Sequence, residues 1–310
     1  MLKGLALTPP VIGRIAIGKM VERNGKRLPE KDDEFTVTSQ IQSKDGWIPH
    51  PLNESLRKDP GQKLRSIPIR FLFDDPDLNF RVKYTMFDHQ SGRPVCVGDG
   101  ESCRRATSAG MQSMPCPTPM GCAVGIAGHC RPYGRLHVRI GDEDELGSFV
   151  FRTTGFNSIR TLTTRMKYFQ AVSGNRLASM KLELRLRGKS TTQSHRSPIY
   201  YVDITPASGA TLENLVQEAV QARDQQLAAG IDQGLLDEAA RLGFGLGEFE
   251  ESEEEGAAVV EEFFSSEGDD AAESETVTTA VNTVSLAQKL QTRSHHRSGG
   301  GCNASSAVKT

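Results

Sequence analysis

The chain has 310 residues, room for one or two domains at roughly 100–200 residues each. No run of about 18 apolar residues exists, which excludes a membrane-spanning helix. Pro9 and Pro10 interrupt the short apolar start, so it does not read as a signal peptide, and the expected compartment is the cytoplasm, where thiols stay reduced. The formal net charge of −2 hides a split: residues 1–205 carry 31 Lys+Arg against 20 Asp+Glu, and residues 206–310 carry 6 against 19. A basic body with an acidic tail points to contact with a polyanion, or to a tail that competes with one. The plainer reading is an ordinary domain with a solubilising tail.

In chain order, residues 11–17, 35–41, 67–73 and 80–87 are rich in β-branched and aromatic side chains and read as short strands. Asn24-Gly25 between two of them is a hairpin signal. The stretch 96–132 is rich in Gly, Pro, Cys and Ser and has little periodicity, so it reads as a long loop that needs a staple. Residues 134–140 and 147–153 alternate like a strand pair around the polar turn 141–145. Over 157–172, Ile159, Leu162, Met166 and Phe169 fall on one helical stripe, with Asn157 or Ser158 as the cap. In 181–187, Leu182, Leu184 and Leu186 share one strand face, and 199–204 follows as another strand. The expectation is an α+β, β-rich single domain over 5–205 with an embedded zinc-binding loop at 96–132. A helical extension over 206–245 and a disordered acidic, low-complexity tail over 246–310 complete the chain.

Four of the six cysteines fall in the pattern Cys103-x12-Cys116-x5-Cys122-x7-Cys130. Thiolates are soft ligands suited to zinc, and four close a tetrahedron, which makes a structural rather than catalytic ion the expectation. A metal also explains how a polar, Pro-rich loop folds without a core of its own. The rival readings are disulfides, disfavoured in a reducing compartment, and unrelated buried thiols. Cys96, His129 and His137 are alternative ligands, and Cys302 lies in the tail.

A second candidate is the turn that leads into the helix. Thr153, Thr154, Asn157 and Ser158 would present free amides at a helix N-terminus, a natural anion site, with Arg152, Arg160, Arg165 and Lys167 nearby in sequence. The plainer alternative is a simple capped helix. No Walker loop, HExxH or GxSxG pattern occurs, so no catalytic constellation is expected.

The runs Cys130-Arg131-Pro132-Tyr133-Gly134 and Gly147-Ser148-Phe149-Val150-Phe151-Arg152-Thr153-Thr154-Gly155-Phe156-Asn157, with Tyr168-Phe169-Gln170-Ala171 and Leu184-Arg185-Leu186-Arg187-Gly188-Lys189, resemble the phage recombination directionality factor-like family. Ile12-Gly13-Arg14-Ile15 and Ile67-Pro68-Ile69-Arg70-Phe71 are similar too. The likeness covers roughly residues 10–205, and Cys116, Cys122 and Cys130 match the family pattern. Members occur in phages and other mobile genetic elements and are often labelled "hydrolase or metal-binding protein". The resemblance implies an accessory role in DNA recombination: better-studied relatives bind a large serine integrase and switch it from integration towards excision. The expected partner is therefore a site-specific recombinase, with DNA as a further one. The competing functions are a nucleic-acid-binding protein acting on single strands or replication intermediates, and a zinc-dependent hydrolase.

Overall fold

The computed structural model describes residues 10–23, 26–44, 46–59, 61–141, 147–190, 192, 196–244 and 253–264. One compact unit spans 1–267; the second, 268–310, lies outside the described residues. The elements begin with β1 (Val11–Arg23), β2 (Lys26–Ser43), β3 (Gly46–Pro49), α1 (Leu52–Ser55), β4 (Ser66–Ile69), α2 (Pro76–Asn79) and β5 (Phe80–Phe87). The middle holds β6 (Pro94–Gly98), β7 (Ser102–Thr107), β8 (Gly110–Pro115), α3 (Thr118–Gly121), α4 (Ala123–Ala127), β9 (Arg131–Val138) and β10 (Ser148–Thr153). Then come α5 (Phe156–Val172), β11 (Leu182–Lys189), β12 (Ile199–Pro206), α6 (Leu212–Ala228), α7 (Gln233–Phe244) and α8 (Glu253–Phe263).

The larger sheet runs β3-β2-β1-β10-β9-β5-β6-β7-β8, and the smaller one β12-β11-β4. Only the β1–β10 contact in these ladders is parallel. The rest pair with antiparallel neighbours, as hairpins and meanders do. The β1–β2 ladder reaches Arg23↔Lys26, the two-residue spacing that Asn24-Gly25 predicts, although those two residues lie outside the description. The fold is thus α+β with a large mixed sheet.

The α5 stripe behaves as its spacing predicts: Ile159, Leu162, Met166 and Phe169 are buried. They share one core with Phe149, Phe151 and Leu136 of the large sheet and with Leu182, Leu184 and Ile204 of the small one. Alternation then fixes the opposite side: with Phe149 and Phe151 turned to the core, Val150 and Arg152 turn away from it.

Three sequence expectations are corrected. Much of 96–132 is not an irregular loop, because β6, β7 and β8 form an antiparallel meander that extends the large sheet to its edge. The pattern was hidden because edge strand β8 has almost no buried residue, so no apolar alternation marks it. The cap of α5 is Gly155, with no side-chain cap bond, rather than Asn157 or Ser158. Finally, α8 lies inside the region whose composition reads as disordered. It folds because Val259, Val260 and Phe264 find a buried apolar patch; the remainder of 246–310 lies outside the described residues.

The helices after 206 are stitched to the body. Leu215 and Ala219 of α6 enter the main core. Buried Asp74 accepts from Arg223 Nη2 at 2.7 and 2.9 Å and from the Ala178 amide at 2.9 Å. Asp237 of α7 accepts from the Asp74 and Asp75 amides at 3.0 and 3.1 Å. Among the described residues no helix is long and apolar enough to cross a membrane. Asp74→Ala removes one partner of a pair whose side chains are 6% and 13% exposed. It strips Arg223 of its carboxylate and leaves the Ala178 amide without this acceptor. Urea unfolding is expected to register a loss of roughly 3–5 kcal/mol; a loss under about 0.5 kcal/mol, typical of a surface site, contradicts this account.

Candidate functional site

Cys96 on β6, Cys116 after β8, Cys122 between α3 and α4, and Cys130 before β9 line one small cavity of about 10 Å³, together with Tyr84, Met86, Gly98 and Arg105. Such a volume is close to one water-sized sphere. The chain bends tightly to bring them there: Thr118 and His129 adopt left-handed φ values of 65° and 51°. The Gly125 amide donates to Cys122 Sγ at 3.3 Å. Gly98 is needed for the close approach, since a Cβ there would press on Cys103 and on Cys116 Sγ.

Cys103 does not line this cavity; it is buried beside Cys96, and its Sγ approaches the Pro115 carbonyl at 3.8 Å. The five described cysteines are all free thiols. Arg105 reaches into the cluster, donating from Nε to Cys96 Sγ and from Nη2 to Cys122 Sγ, each at 3.4 Å. That contact holds the Cys122 thiol below its ordinary range. Burial and neighbouring sulfur charges push Cys130 up to about 12, and burial with a Cys96 contact pushes Cys103 up to about 11. Among the described residues no three His, Cys, Asp or Glu side chains already stand in the arrangement that holds a metal ion. The donors therefore match zinc in kind and share a cavity, and an ion would have to draw them closer.

The second candidate set is dispersed. Asn157 Oδ1 accepts from Lys189 Nζ at 2.8 Å, and Ser158 Oγ accepts from the Val202 amide at 3.1 Å. Arg165 Nε pairs with Asp203 at 2.9 Å, and Thr153 Oγ1 accepts from the Gly155 amide at 3.1 Å. Arg152 is buried on the far face of the sheet. Arg160 and Lys167 are exposed on α5, and Thr154 is half-buried.

That far face carries a cluster that no sequence motif marked. Arg81 on β5 pairs with Arg135 on β9, and Arg135 pairs with Arg152 on β10, so three arginines stand in one cross-strand row. Like charges directly opposite one another destabilise a sheet unless counter-charge or solvent relieves them. Arg14 on β1 lies on the same side, its guanidinium 4.0 Å over the Trp47 ring. The weak signal was the alternation Arg135-x-His137-x-Arg139, which shows a basic face but not which strands meet there.

Residues 12–207, which contain the cavity, the turn and the arginine row, match the model of the Gp3-like, recombination directionality factor-like family. The chain belongs to the recombination directionality factor-like family. No curated protein and no solved structure gives a significant match. The directionality factor-like body thus spans β1 to β12, and α6 to α8 follow it. Membership supports an accessory role in phage recombination.

Within this face His137 is the most perturbed base. Burial, and then the charges of Arg135, Arg81 and Arg152, push its imidazole down to about 3. An unfolded histidine titrates near 6.5. Between these values the unfolded chain binds the extra proton, so this residue makes stability fall as pH drops from about 6.5 towards 3. His137→Gln should flatten that part of the profile, read from urea midpoints between pH 7.5 and 5. An unchanged slope would remove His137 from the account.

Proposed function

We propose that the chain binds a site-specific serine integrase and controls the direction in which it recombines DNA, with no turnover of its own. Family membership across residues 12–207 carries this reading. A binding protein can reverse a preference only by favouring one state of its partner, because equal affinity for both states shifts nothing. Each tenfold preference between the integrase's excision and integration assemblies corresponds to about 1.4 kcal/mol of differential contact. The test is a reconstituted reaction with the integrase of the same element. Excision should accelerate and integration should be inhibited when the protein is added; the absence of both effects overturns the proposal. A second reading, a nucleic-acid-binding protein of a mobile element, draws on the basic balance of residues 1–205. It calls for a gel shift without integrase, weakening steeply with salt as phosphate contacts release counterions.

We further propose one structural zinc held by Cys96, Cys116, Cys122 and Cys130. What supports it is the convergence of four soft donors on one cavity and a cation already beside them. Four thiolates around a divalent ion leave a net negative charge, which Arg105 partly offsets. Cys96 takes the place that the spacing alone gives to Cys103, since Cys96 and not Cys103 lines the cavity. Purified reduced protein should contain one zinc per chain. Cys122→Ser should lose the metal and lower Tm, because metal-binding energy is folding energy. Cys103→Ser should keep it. A full zinc complement in Cys96→Ser, or none in the native chain with its fold intact in chelator, defeats the assignment.

A further inference from the structure

The helix α8 lies on the cationic face of the large sheet, and its composition mirrors what it covers. Phe264 packs on Phe87 with ring centroids 4.8 Å apart, and Phe263 and Phe264 lie 6.2 and 6.1 Å from Tyr133. Val259 and Val260 complete this buried patch. Burial pushes the Glu262 carboxyl up, and the charges of Arg14 and Arg152 pull it back down. Arg131 Nη1 donates to the Phe263 carbonyl at 3.3 Å, capping the helix end. At the other end, α8 abuts the turn between β5 and β6. There a Cβ on Gly256 would fall inside the Gly92 carbonyl, so only glycine permits this approach.

The helix has little stability of its own. Its 11 residues fall short of the roughly 12–15 that an isolated helix needs. Gly256 weakens its interior. Glu261 and Glu262 sit at the end where the helix dipole is negative, and its last turn holds no basic residue. Docking therefore depends on what the face offers: an aromatic patch beside a row of guanidinium groups.

We propose that this face is a docking groove for an acidic amphipathic helix of a partner protein, and that α8 occupies it as an internal stand-in until that helix displaces it. The groove reads an apolar stripe together with a carboxylate, the pattern of helix-in-groove recognition. Phe87 and Tyr133 favour a helix over a nucleic-acid duplex, whose phosphate backbone would leave the aromatic patch uncovered. The inference holds whether or not the partner is a recombinase, so its failure and a failed recombination assay are separate results.

The test uses the full chain and two variants that loosen α8 without touching the groove. Gly256→Ala places a methyl group where the Gly92 carbonyl stands, while raising helix propensity. Val260→Asp puts a charge into the aromatic patch. The probes are a fluorescein-labelled peptide with the sequence of residues 253–264 and a labelled duplex of about two helical turns, read by anisotropy near 0.15 M salt. Both variants should bind the peptide roughly tenfold more tightly than the native chain does. Arg135→Glu added to Gly256→Ala should abolish that gain. Duplex affinity should change less than the peptide's. Equal peptide binding by the native chain and both variants overturns the proposal. A gain confined to the duplex also overturns it, and makes the face a nucleic-acid surface instead.

Discussion

The register of β10 between β1 and β9 is the constraint on which the molecule turns. Its parallel contact with β1 joins the N-terminal ribbon to the rest of the large sheet, and its antiparallel contact with β9 continues that sheet towards the cysteine edge. A slip of one residue would move Phe149 and Phe151 out of the core and bring Val150 and Arg152 in. The core side of that choice is reinforced by α5 and the small sheet, which bury Leu162, Met166, Leu182 and Leu184 against it. The other side inherits the charges: Arg152 is aligned with Arg135 and Arg81 because the core demanded phenylalanines on the opposite pleat.

This division explains why two distinct chemical regions occur on one sheet. The aromatic and arginine face lies over its middle strands, where ladder neighbours on both sides hold each side chain in a fixed row. The cysteines gather at the margin, where β6, β7 and β8 leave the core and short helices α3 and α4 fold back. A margin with few buried apolar groups has little hydrophobic driving force. The zinc proposed for this margin would supply there what packing cannot.

Both candidate regions also share a use of arginine as an internal counter-charge. Arg105 stands between Cys96 and Cys122, and Arg14 and Arg152 stand opposite Glu262. A guanidinium stays charged throughout the physiological range and is weakly hydrated, so it tolerates partial burial better than lysine. The body's positive excess, read along the chain as a generic basic character, is in part this placed set.

Much of the architecture was legible in the chain itself. The α5 stripe, strands β5 and β11, the hairpin spacing at Arg23 and Lys26, and the family likeness across the body depend on short-range periods and local runs. Such patterns survive in a one-dimensional reading because the residues that cooperate are two, three or four positions apart. Strand β8 was not legible, because an exposed edge ladder is held by backbone bonds that leave no apolar alternation. The arginine row and the cysteine cavity required the fold, since Arg81 meets Arg135, and Cys96 meets Cys130, only through strand pairing that sequence spacing does not encode. Likewise the tail's acidic composition gave no sign of a docked helix, yet four apolar residues were enough to dock α8 once the sheet had built a patch to receive them.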